Sequence, residues 1–92
     1  MTTTQDIEHN IHILAATAET TDITPHDYGN VMACITDARH CLDRLFAGQK
    51  HPNKTTRGPQ TWIDSAAMWV NRGAQYAFGF GIPSDWIVLP AA

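Results

Sequence analysis

The chain has 92 residues, 43% of them hydrophobic and 16% charged, with nine acidic against six basic side chains and a formal charge of −3. That length allows one domain, residues 1–92, with the apolar content of an ordinary soluble protein, and it buries only about 60–65% of its unfolded surface, which leaves room for one core and little for a deep active site. The acidity argues against direct nucleic-acid binding, which needs surplus Lys and Arg to displace counterions, and no apolar run approaches the roughly 18–20 residues of a membrane span.

The first segment, Met1 to Asp6, carries no positive charge and has no apolar stretch behind it. It does not read as a signal peptide, and a cytoplasmic location is the expectation. A helix is predicted over about residues 4–20. Its apolar residues Ile7, Ile11, Leu14 and Ala18 are spaced 4, 3, 4, which keeps them on one face. Asp6 and Glu8 fall in the first turn, where negative charge complements the helix dipole. Ile13 lies off the apolar face, beside His9 and Asn10.

A second helix is predicted over about residues 25–47. Thr24 can cap it, Pro25 suits the first helical position, and Asp27 stands where a capping box places its acid. Tyr28, Val31, Ile35, Ala38, Leu42 and Leu45 form a seam spaced 3, 4, 3, 4, 3, widened by Met32, Cys34, Cys41 and Phe46. Gly48 is a natural stop. Cys34 and Cys41 are seven positions apart, roughly 10 Å along a helix, beyond the roughly 7 Å that a disulfide tolerates. Buried, reduced thiols are expected.

Residues 49–60 read as a loop, broken by Pro52, Gly58 and Pro59. Lys50, Lys54 and Arg57 lie there with His51 and no acid, so the remainder holds three basic residues against nine acidic ones. The three cations are candidates for contact with an anion or an acidic partner surface, and are too few for tight nucleic-acid binding.

A third helix is predicted over about residues 61–80, with Thr61 as cap and Asp64 three residues on. Two apolar lines run along it, Trp62, Ala66, Trp69, Gly73, Tyr76 and Phe80, and Ile63, Ala67, Val70, Ala74 and Ala77. Together they cover about half the circumference, the mark of a helix that touches two neighbours. Gly73 costs about 1 kcal/mol against Ala inside a helix, which points to close packing there. Met68 falls on the polar arc. The tail, residues 81–92, opens with Pro83-Ser84 and holds Trp86-Ile87-Val88-Leu89, a short extended segment or single turn laid over an apolar groove.

The pattern predicts an all-α fold, a three-helix antiparallel bundle with an ordered apolar C-terminal tail. No catalytic or cofactor motif is present. His9 and His12 could face one way on a helix, but the His-Glu-x-x-His pattern is missing and no further ligands are evident. Cys34 and Cys41 sit where burial blunts a thiol. The glycines of Phe78-Gly79-Phe80-Gly81 follow a helix rather than a strand, so they do not make a phosphate loop. No enzyme activity, metal or cofactor is expected. The reading is a small non-enzymatic interaction or regulatory module that binds a protein partner or its own copy, in the manner of compact proteins of phages and mobile elements. Trp86, Ile87, Leu89, Ile13 and Met68 are the candidate contact residues. The alternatives are an acidic decoy or regulator of a nucleic-acid-binding protein, and a metal-binding domain or enzyme using His9 and His12.

Overall fold

The computed structural model describes residues 2–20, 22–48, 59–78 and 81–89. It contains three helices, α1 (Thr4–Thr20), α2 (Pro25–Phe46) and α3 (Pro59–Ala77), and among the described residues no strand. The chain is an all-α three-helix bundle.

Local chemistry starts each helix. At α1 the Thr3 and Asp6 side chains reciprocate. The Asp6 backbone N–H donates to Thr3 Oγ1 at 3.2 Å, and the Thr3 N–H donates to Asp6 Oδ2 at 3.1 Å. This is a capping box, so Asp6 satisfies an orphan donor besides meeting the dipole. At α2 the predicted cap forms: Thr24 is extended, and its hydroxyl accepts from the Asp27 N–H at 3.1 Å. The α2 stop also forms, with Gly48 at φ 71° and its N–H on the Leu45 carbonyl.

The third helix departs from expectation at both ends. It begins at Pro59, two residues before the expected cap, so Thr61 lies inside the first turn. Proline's fixed φ suits a first helical position. Asp64 accepts from the Gln60 side chain at 3.2 Å. The helix ends at Ala77 rather than near residue 80, because Gly79 and Gly81 follow closely and lower the helical propensity; Phe80 lies outside the described residues.

The core sits where the three apolar faces meet. Ile7, Ile11 and Leu14 of α1, Val31, Ile35, Ala38 and Leu42 of α2, and Trp62, Ala66, Ala67 and Val70 of α3 are buried. As expected of its wide apolar arc, α3 packs on both other helices. Gly73 marks the junction: a Cβ there would stand 3.2 Å from Leu14 Cδ1 and 3.3 Å from Cys34 Cβ. Contacts between α2 and α3 run in opposite order along the two helices. Cys34, near the middle of α2, meets Gly73, late in α3. Arg44 is late in α2 and lies 5.7 Å over the ring of Trp62, early in α3. The α2 seam overshoots at both ends, leaving Tyr28 39% and Phe46 64% exposed.

Candidate interaction surface

The tail residues return to the bundle. A turn over Pro83–Trp86 closes with the Trp86 N–H on the Pro83 carbonyl at 3.1 Å. Beyond it Leu89 enters the core at 6% exposure, while Trp86 and Ile87 pack half-buried against it. The Trp86 ring meets Phe78 edge-on, centroids 4.9 Å apart at 81°, a favoured aromatic geometry.

Asn10 holds this segment in place. Its side chain is fully buried, and both halves of the amide are used. Nδ2 donates to the Ile87 carbonyl at 2.7 Å, and Oδ1 accepts from the Ile87 N–H at 3.0 Å. One residue before it, His9 Nε2 lies 2.7 Å from the Asp85 carbonyl. On the α3 side the Asn71 amide approaches the Leu89 carbonyl at 3.5 Å. The sequence pattern set Asn10 among polar neighbours and missed this. The available signal was spacing: position 10 follows Ile7 by three and precedes Leu14 by four, which borders the apolar stripe.

The opposite side of the segment faces outward. Together with α3 it walls a groove of about 360 Å³ lined by Ala74, Phe78, Ile82, Trp86, Val88 and Leu89, with Asn71 and Gln75 at its edge. Ile82 is 66% and Val88 82% exposed. Of the sequence candidates, Trp86 and Leu89 line this groove and Ile87 is bound through its backbone. Ile13 is half-buried and Met68 is 41% exposed; neither lines the groove. Lys50, Lys54 and Arg57 lie outside the described residues.

A second cleft, about 300 Å³, separates α1 from α2. Ile11 and Leu42 line it with Glu8, His12, Arg39, Asp43 and the exposed Phe46. His12 therefore faces this cleft while His9 is engaged with the tail. Among the described residues no group of three or more His, Cys, Asp or Glu side chains could hold a metal ion. Cys34 and Cys41 are free and buried. Burial pushes both thiols above the usual range, Arg72 opposing it at Cys34 and Arg44 at Cys41. A protonated, enclosed thiol is a poor nucleophile. No helix among the described residues is long and apolar enough to cross a membrane.

Comparison with protein-family models, with curated proteins and with solved structures found no match to this chain.

Proposed function

We propose that this chain is a small non-enzymatic protein–protein interaction or regulatory module that presents α3 and the Trp86 segment to an apolar partner surface. The observation that carries the reading is the outward pair Ile82 and Val88, 66% and 82% exposed beside one apolar groove, on a segment held from beneath by Asn10. Single exposed aliphatics are ordinary, but two that flank a groove with Trp86 and Phe78 form the anchor-and-pocket arrangement that binding surfaces use. A partner helix or extended aliphatic segment fits such a groove.

Substituting Ile82→Asp and Val88→Asp in the full chain tests this. Both side chains face solvent, so melting should hold within about 0.5 kcal/mol. A protein recovered from lysate by the wild type should be lost from the double variant. Light scattering that finds a strict monomer, with no protein enriched over the double variant, overturns the proposal. Charge reversal at Asp37 and Asp43 is the control for an acidic decoy: it should leave groove binding nearly intact, and loss of binding there would favour the decoy instead.

A further inference from the structure

Around Ile87 the tail runs extended, with one edge in use. Asn10 reaches the N–H and the carbonyl of the same residue, Ile87, at 3.0 and 2.7 Å. One carboxamide can do that only where both groups point the same way, as they do in extended backbone. Two residues back, the Asp85 carbonyl lies on His9, the neighbour of Asn10 on α1, so the alternation of a strand holds over 85–87.

The other edge is open. The chain has no cis peptide bond among the described residues, and a planar trans unit sets each N–H opposite the preceding carbonyl. With both Ile87 groups turned to Asn10, the Trp86 carbonyl and the Val88 N–H point away from α1. Neither has a hydrogen-bond partner among the described residues. The unfilled groove of about 360 Å³ lies on that side, since α3 and the tail supply its lining and α1 supplies none.

We propose that this groove takes an extended, uncharged peptide segment of a partner protein, which pairs with the Trp86 carbonyl and the Val88 N–H as an added strand. This rests on the interaction surface proposed above and narrows its partner to one backbone conformation. A helix cannot use the two free groups, because its own main chain is paired internally. An extended segment supplies the matching N–H and carbonyl. The lining, Asn71, Ala74, Gln75, Phe78, Ile82, Trp86, Val88 and Leu89, holds no charged side chain, so a charge on the occupant would lose water without gaining a counterion. From Asn71 to Phe78 the α3 wall runs about 10 Å, the length of about three extended residues.

The test is hydrogen exchange by NMR on the full chain, with the blocked, uncharged peptide acetyl-Ser-Val-Thr-Val-Ser-amide as probe. The Val88 amide should exchange freely in the chain alone and slow about tenfold at saturating peptide, while the Ile87 amide, already bonded to Asn10, keeps its rate. An analogue N-methylated through its three central residues should bind about tenfold more weakly. A probe that binds without protecting Val88, or an N-methylated analogue that binds equally well, overturns the proposal. A leucine-rich peptide stapled as a helix is the comparison. If it binds, is lost from the Ile82→Asp, Val88→Asp double variant and leaves Val88 exchanging freely, the surface binds but not through a strand, and the strand proposal alone is overturned. If neither probe shifts the Ile82 or Val88 signals, the groove takes no peptide and the proposal falls; the lysate comparison above then judges the interaction module by itself.

Discussion

A buried amide is tolerated in an apolar core when both its donor and its acceptor are satisfied, and Asn10 meets that condition with one residue of the tail. Sequence spacing could place Asn10 at the stripe's border, but it could not supply the partner, which lies 77 positions away. The thiols were easier to read. Cys34 and Cys41 border the seam, and their burial follows from its width. Their titration gives a prediction with a definite sign. Burial raises both thiols in the folded chain. Below about pH 8.5 they are protonated in both states and affect nothing. Above it the unfolded chain loses these protons first, so stability falls as pH rises, by at most about 1.4 kcal/mol per pH unit for each thiol. Denaturant titrations between neutral pH and pH 10 should show the decline, and a Cys34→Ala, Cys41→Ala double variant should flatten it. An equally steep decline in the double variant would place the cause elsewhere.

The helices were legible to the degree that their ends carry distinct chemistry. Both bounds of α1 and the start of α2 agree with expectation, and the end of α2 is one residue short. Capping geometry is local, so it can be read from a few residues. At α3 the expected cap is Thr61 and Pro59 reads as a loop residue, but the helix starts at Pro59. The exposed ends of the α2 seam have a simple cause. Helices of 22, 17 and 19 residues are about 33, 26 and 29 Å long, so α2 outruns its neighbours. Tyr28 and Phe46 keep the apolar period without a surface to cover them. Gly73 is the sharpest test of the packing. Alanine would gain up to about 1 kcal/mol of helix propensity. Against that, its methyl would press on Leu14 Cδ1, which can swing away, and on Cys34 Cβ, which is tied to its backbone. Overpacking of this kind costs about 1–3 kcal/mol. Gly73→Ala should therefore destabilise by roughly 1 kcal/mol, and Gly73→Val by clearly more, in chemical denaturation. A stabilised G73A would show that the helices stand further apart.

At the scale of the whole molecule, thickness limits what the fold can do. Its extents are 41 × 24 × 18 Å, and 18 Å is less than two helix diameters of about 10–12 Å. The two clefts described above both lie open at the surface. The apolar tail could be read in the sequence, but where it lands could not, because four consecutive apolar residues carry no period that selects a partner. Its alternate placement decides how the molecule responds to substitution. Leu89 is 6% exposed and its neighbour Val88 is 82% exposed. Leu89→Ala removes three buried carbons and should cost about 2–4 kcal/mol, while Val88→Asp should cost less than about 0.5 kcal/mol. For a chain of this size 1 kcal/mol moves the midpoint by roughly 4–8 °C, so the two melts should separate by about 6 °C or more in circular dichroism. Coincident melts would mean that residue 89 contributes nothing to the core. The tail would then lack its inner anchor, and the groove it walls could not stand. A wide separation instead fixes the tail as part of the bundle, with Leu89 turned inward and Val88 outward.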